Sequence, residues 1–586
     1  MNKNNSGNNY LEAKSEADKV DLEIINALKD GVSFRVEAGA GSGKTYSLNK
    51  AIEWIQSNKW GQYRTNDQNV ICITYTNAAV NVINERLSND SFIIPSTIHS
   101  FAWSAIKQFQ GALKNLIAKD KSLNNINEDF SEVIEIRYTL GHRYVEEGIY
   151  YLHHNDVLIL FEKLLDNTKF RKVFSDKYPL ILIDEYQDSY KPVIDKFLEY
   201  FISTERGPQF GFFGDAWQTI YQLNQACGLI ENEKLRIINK GSNFRSAPRI
   251  VKLLNALRPE LPQKSAIDDF QGKVVVVTCD DYSGKRRKDW YFRDDLPVDE
   301  LKRRIDTLKE TIKSTVADEE TLKILMITHK VLATQQGYRE LLEIINDGLR
   351  EKQDQFLLYF MNTVEPIYES LCSNNMQLLF DTLGVKQYPI TAKVEKTKWK
   401  ELQNTLAAQR NKKAIDVLNV VKSFGLIPIP PIVESYIDLY NSAPDTMYNS
   451  STIKEVLDIE YSQFVSAIEF LYPSAEYSTE HGVKGEEYDN VVFVISKGWN
   501  QYKFEEYAPM INGIVSIPPG EEKAFEKNRN LFYVCCSRPK KRLIIFITVP
   551  VSKELNDFLK SVVEVNDIYT YSQFIDNLRN NAYLLL

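Results

Sequence analysis

A chain of 586 residues with 43% hydrophobic and 26% charged residues is too long for one hydrophobic core, and its balance excludes a disordered or fibrous class. No run of about 18 apolar residues occurs, which excludes a membrane-spanning helix. The formal net charge of −8 offers no bulk attraction for nucleic acid, so any such activity must rest on local motifs. The polar, Asn-rich start Met1 to Asn9 reads as a disordered lead and not as a secretory signal. Six cysteines are scattered, and the adjacent Cys535 and Cys536 sit in an apolar run, which suggests neither zinc nor a disulfide framework. A cytoplasmic location is the expectation.

The first element is a short strand, Phe34 to Glu37, that runs directly into AGAGSGKT and then a helical pattern. Strand, Gly-rich loop and helix in that order make a P-loop, whose backbone N–H groups cradle phosphates. The loop is Ala38, Gly39, Ala40, Gly41, Ser42, Gly43, Lys44 and Thr45. Lys44 is placed to reach the β- and γ-oxygens of ATP and Thr45 to coordinate Mg²⁺.

Apolar, β-branched runs follow at Val70 to Thr74, Leu180 to Ile183, Gln209 to Phe213 and Val274 to Val277, and a later set at Lys323 to Ile327, Asn490 to Val494 and Arg542 to Ile547. Such runs predict strands of parallel sheets buried on both faces. Two sets, with helical patterns between, predict two α/β domains. Two segments break the rhythm with mainly helical patterns, Ala102 to about Lys172 and Glu340 to about Ser474.

The strand Leu180 to Ile183 leads into DEYQD. A carboxylate at a strand's C-terminal end can reach a bound metal, so Asp184 is the expected Mg²⁺ ligand and Glu185 the group that orients or deprotonates the attacking water. Gln218, in GDAWQTIY just past a strand, is placed to bond the γ-phosphate. Arg245 in NFRS and Arg538 in YVCCSR are candidates for positive charge at that phosphate. Lys285 to Lys288 (KRRK) is a basic run in an expected loop, which reads first as a solvated loop and, as the alternative, as a contact to the nucleic-acid strand.

AGAGSGKT, TYTNAAVNVINERL, TIHSF, DEYQD, GDAWQTIY, NFRS, TEHGVKGEEY and YVCCSR stand in the order and spacing of superfamily-one helicases, and the chain resembles the UvrD/Rep/PcrA branch from about Val36 to Val549. The resemblance implies two RecA-like P-loop domains, 1A and 2A, each with a mainly helical insertion, 1B and 2B. The expected boundaries are 1–101 and 176–235 for 1A, 102–175 for 1B, 236–339 and 477–552 for 2A, 340–476 for 2B, and a tail at 553–586. ATP would lie between the domains. By resemblance Glu487 holds the ribose and Phe244 stacks on the adenine. Tyr75, Thr76, His99, Tyr221, Thr479 and His481 match residues that contact a single DNA strand.

Departures from the pattern carry expectations too. The family's adenine-reading Gln falls near Glu23, counting back from Lys44, and a carboxylate cannot donate to N7. Leu223 and Asn224 stand where an aromatic and an Arg are usual. The insertions are short and no fused nuclease is expected. The resemblance therefore implies ATP-dependent 3′-to-5′ translocation on single-stranded DNA and at duplex junctions. Its alternative is an ATPase subunit that senses DNA or nucleotide and controls a partner nuclease, as in phage-defence systems of the Gabija type.

Overall fold

The structure is a computed structural model that describes residues 8–580, apart from 75–76, 88–91, 125–129, 131, 140–142, 221–224, 327–331, 334–335, 351–353, 386–392, 443–447, 473–474, 480–481 and 498–501. The described residues contain seventeen strands, β1 to β17 in chain order. The first six-stranded sheet contains β1 (Phe34–Ala38), β2 (Val70–Thr74), β3 (Ile93–Thr97), β7 (Leu180–Asp184), β8 (Gln209–Gly214) and β9 (Arg236–Lys240), in the order β3-β2-β7-β8-β1-β9. All of its pairings are parallel.

Side chains alternate between the faces of this sheet, as period-two geometry requires. Ile71, Ile73, Ile181, Ile183, Phe210 and Phe212 point to one core. Val70, Cys72, Leu180, Leu182 and Phe213 point to the other, together with Leu48 and Ile52 of the helix Lys44–Thr65. Covered on both faces, these strands read as continuous apolar runs.

Between β3 and β7 lie helices and a small sheet of β4 (Glu135–Tyr138), β5 (Tyr144–Glu146) and β6 (Ile149–Leu152). The segment expected to be mainly helical thus also contains three short strands, too brief and too polar on one face to stand out in the sequence. An aromatic cluster fastens it to the first sheet. Phe101 lies 6.0 Å from both Phe161 and Phe174 and 5.3 Å from Tyr178, with rings tilted or edge-on. Such pairs add about 0.5–1.5 kcal/mol each beyond the area they bury.

The second six-stranded sheet is also all parallel. It holds β12 (Lys273–Thr278), β13 (Leu322–Met326), β14 (Tyr477–Thr479), β15 (Tyr488–Ile495), β16 (Pro539–Ile547) and β17 (Ile568–Thr570), in the order β14-β13-β15-β16-β12-β17. The run Val274 to Val277, grouped above with the early strands, belongs to this sheet between β16 and β17. The segment between β13 and β14 is helical where described, and it has its own core around Leu357, Phe360, Leu418 and Phe464. Two-residue strands β10 (Ser242–Asn243) and β11 (Lys264–Ser265) pair beside the P-loop.

Candidate nucleotide and nucleic-acid site

The loop from β1 to the helix Lys44–Thr65 has left-handed backbone at Gly41 (φ 72°) and Gly43 (φ 78°). A side chain costs energy in that conformation. Space forbids it as well at Gly41, where a Cβ would lie 2.8 Å from Arg245 Cβ and 2.9 Å from Asn243 Oδ1. The second half of the chain therefore sits directly on the loop. Asn243 and Gln263 side-chain amides donate to the Ala40 carbonyl at 3.0 Å. The Phe244 N–H donates to the Gly41 carbonyl at 2.8 Å, and Ser242 Oγ to that of Ser42 at 3.2 Å. The Ala40 N–H in turn donates to Tyr533 Oη at 3.2 Å.

Lys44 reaches from the first turn of its helix to Glu185, 2.9 Å from Oε1. Asp184 ends β7, and Glu185 follows in left-handed conformation (φ 49°), which turns its carboxylate toward Lys44. Burial raises both carboxyls. At Glu185 the ammonium groups of Lys44 and Lys484 and the Gln187 amide outweigh burial and hold it below the usual range. Burial and the neighbouring Glu185 charge leave Asp184 raised. The two carboxyls are thus pushed apart, one firmly ionised and one inclined to keep a proton. Thr45 lies exposed one residue beyond Lys44.

Several partners are not among the residues singled out in the sequence, although Gln187, Asp188, Asp215 and Lys484 lie inside the quoted motifs. Gln187, fully buried, donates to Glu185 at 2.5 Å and accepts from the Asp215 N–H at 3.1 Å. Arg258 bridges Glu37 and Asp215 at 2.6 Å each. Lys484 pairs with Asp188 and donates to the Gln218 carbonyl at 2.6 Å. Lys484 stands in the same block as Glu487, a signal that could have found it.

From the second sheet, Arg538 is fully buried and donates to the Gln218 side-chain oxygen at 3.3 Å and to the carbonyls of Val534 and Glu486. Burial, then the nearby Arg245 charge, lower its pKa to about 9. Arg245 pairs with Glu487 at 2.9 Å, and Lys540 holds the other Glu487 oxygen at 2.8 Å. Phe244 is 37% exposed at the loop's mouth, its ring edge 3.8 Å from where a Gly43 Cβ would stand. Lys44 with Glu185, Gln218 with Arg538, Arg245 with Glu487, and Phe244 beside the P-loop thus lie where the two halves of the chain meet.

The acid facing the P-loop helix is Asp21, not Glu23. Glu23 is exposed. Asp21 lies with Val20, Ile24 and Leu28 on the buried face of the helix Asn8–Asp30 and bonds Ser47 Oγ at 2.5 Å and Lys50 at 2.7 Å. Counting back from Lys44 ignores the loop length between helix and strand; helical periodicity decides the face.

A family model described as an AAA domain matches residues 21–224, which contain the P-loop and DEYQD. The chain is 22% identical to the Gabija protein GajB of Bacillus cereus strain HuB5-5, over 95% of this chain and 98% of that one. It is 25% identical to the mitochondrial ATP-dependent DNA helicase HMI1 of Saccharomyces cerevisiae, over 42% and 41%. It is 28% identical to the ATP-dependent DNA helicase Rep of Buchnera aphidicola, over 38% and 40%. The chain is similar to superfamily-one helicases of the UvrD type.

Of the residues expected on the strand side, His99 and Thr479 are described, and both fall at C-terminal strand ends. His99 follows β3, and its ring stacks on His154 with centroids 3.7 Å apart. His154 Nδ1 meets Tyr138 Oη at 2.5 Å. The two histidine rings border a cavity of about 460 Å³ that also touches Thr74, Thr97, Asp184 and Glu185. Thr479 ends β14, where its Oγ1 accepts the Gly482 N–H at 3.2 Å. Tyr75, Thr76, Tyr221 and His481 lie outside the described residues, as do Leu223 and Asn224. Among the described residues no helix is long and apolar enough to cross a membrane.

Proposed function

We propose that this chain hydrolyses ATP in the cleft between its two sheets and uses the cycle to move 3′ to 5′ along single-stranded DNA, opening duplex at junctions. In this reading the first sheet is RecA-like domain 1A and the second is 2A. The segments 102–175 and 340–476 are insertions 1B and 2B. The convergence of Lys44, Glu185, Gln218 and Arg538 from two sheets on one cleft carries the reading.

The loop suits a Mg²⁺-bound triphosphate. Ser42 Oγ is buried without a hydrogen-bond partner among the described residues, and Gly41 and Gly43 leave the loop free of side chains where phosphates would lie. Thr45 and Asp184 would hold Mg²⁺, which neutralises developing phosphate charge. Lys44 moves from Glu185 to the β- and γ-oxygens, which frees the carboxylate. Glu185, kept ionised, accepts the proton of the attacking water. Arg538 and Arg245 bring positive charge from the second sheet, and Gln218 links Arg538 to the first. Phe244 stacks on the base and Glu487 holds the ribose. On the strand side, Tyr75, Thr76, His99, Tyr221, Thr479 and His481 grip bases and phosphates without regard to sequence.

A second reading is favoured by one observation: the likeness to the Gabija protein spans nearly both chains, whereas that to the yeast helicase covers under half. Here the chain is a DNA- or nucleotide-sensing ATPase that controls a partner nuclease in cytoplasmic phage defence. Phosphate release and strand displacement, followed together on 3′-tailed and 5′-tailed duplexes, separate the two. Processive unwinding of the 3′-tailed duplex by the chain alone supports the motor. DNA-stimulated hydrolysis without strand separation, altered by a nuclease encoded beside it, supports the second. Hydrolysis indifferent to DNA would defeat both.

A further inference from the structure

The loop between β12 and the helix Val298–Lys313 contains the KRRK run and the most exposed large aromatic side chain of the described residues, Trp290, at 84%. It is anchored rather than loosely solvated. Arg286 donates to the carbonyls of Cys279 at 2.6 Å, Thr548 at 2.7 Å and Asp294 at 3.0 Å. Buried Asp295 accepts from Thr548 Oγ1 at 2.5 Å and from the Lys497 N–H at 2.9 Å. Arg287 pairs with Asp289 and lies 3.8 Å over the Phe292 ring. With those groups turned inward, Lys285, Lys288, Trp290 and Arg293 are exposed. Those three cations make no ion pair among the described residues.

The strand register fixes which rim carries this loop. Thr278 pairs with Ile547, and Ile547 with Ile495. One residue earlier, Val494 pairs with Met326, and Met326 with Thr479. The end of β12 is therefore level with the end of β14, where Thr479 stands. Four strand spacings separate them, roughly 19 Å at about 4.8 Å each. On a chain of net charge −8, a tryptophan flanked by unpaired cations on that rim has the chemistry of a single-strand platform: cations for the backbone and a ring for a base.

We propose that Trp290, with Lys285, Lys288 and Arg293, forms a second contact for single-stranded nucleic acid, reached by strands long enough to pass beyond Thr479. This rests on the single-strand reading above. The test uses the full chain and labelled oligo(dT) of two lengths, about 8 and about 30 nucleotides, with anisotropy read over a range of salt. The wild type should bind the long strand more tightly than the short one. Trp290→Ala should weaken the long strand by about tenfold and leave the short one unchanged. Lys288→Ala should lower the salt slope for the long strand by about 1. ATPase activity without DNA should stay at the wild-type level in both variants, since neither side chain enters the cleft. Variants that match the wild type on both lengths, or weaken both equally, overturn the proposal. A wild type that binds neither length removes the single-strand reading itself, and this inference with it.

Discussion

The Arg538 guanidinium donates to the Gln218 side-chain oxygen at 3.3 Å, and the Gln218 amide nitrogen donates to Asp215 at 2.7 Å. One side chain thus joins the second sheet to the end of β8 in the first. Arg538→Ala should cut turnover by about 10³-fold or more with nucleotide affinity little changed, because the charge is wanted as γ-phosphate charge develops. Arg538→Lys should restore little, since an ammonium cannot reproduce the fork to Gln218 and two carbonyls. Single-turnover hydrolysis beside binding of a fluorescent ATP analogue reads both. A parallel loss of affinity and rate would mean that Arg538 only holds the fold.

Lys44→Ala should abolish hydrolysis and weaken nucleotide binding. Glu185→Gln should lower hydrolysis by about 10²–10⁴-fold and leave ATP bound, since loop and phosphate contacts survive. Near wild-type turnover in Glu185→Gln would remove Glu185 from the role of base.

Arg258 is the only cation that bridges Glu37 and Asp215 among the described residues, and all three are buried. Arg258→Met leaves buried Asp215 without its ion pair and Glu37 with only Arg35, at 3.7 Å, and should cost about 3–5 kcal/mol in denaturant unfolding. A cost below about 1 kcal/mol would show that water or Arg35 replaces it.

Burial, and then the neighbouring His154, hold the His99 imidazole down at about 4, below its ordinary value of about 6.5. The unfolded chain therefore takes up the proton first. Stability from this group is complete above about 6.5 and is lost as pH falls toward 4. Unfolding midpoints should drop across that window, and His99→Gln should remove part of the drop. An unchanged pH profile in the variant would show that His99 is not the group responsible.

Asp21 offers no donor to a purine N7 and is already engaged by Ser47 and Lys50, while Phe244 can stack on any base. GTP should therefore be hydrolysed within about tenfold of ATP, because one missing base contact is worth on the order of 1–2 kcal/mol. A thousandfold preference for ATP would mean that another side chain reads the base.

Strands buried on both faces were legible as apolar runs, as β2, β7, β12, β13, β15 and β16 illustrate. Edge strands were not. β3 contains Pro95, and β9 leaves Ile237 43% exposed, so neither forms a continuous apolar run. Which sheet a run joins is also silent in the run itself, as the placement of Val274 to Val277 shows. In the cleft, residues inside motifs were legible because spacing fixes them. Arg258 and Asp21 were not, since their positions depend on helix packing, which no local pattern encodes.

The hold of Asn243, Phe244 and Gln263 on the P-loop makes that loop's shape a property of the whole chain. Ala40 and Ile220 even belong to the core of the second sheet. Trimming the protein to residues 21–224 would keep every P-loop residue yet discard β9 and everything that ties down the loop's carbonyls. Such a fragment would expose apolar side chains that now lie between the halves, so a protein meant to report on nucleotide binding needs the full span through β16.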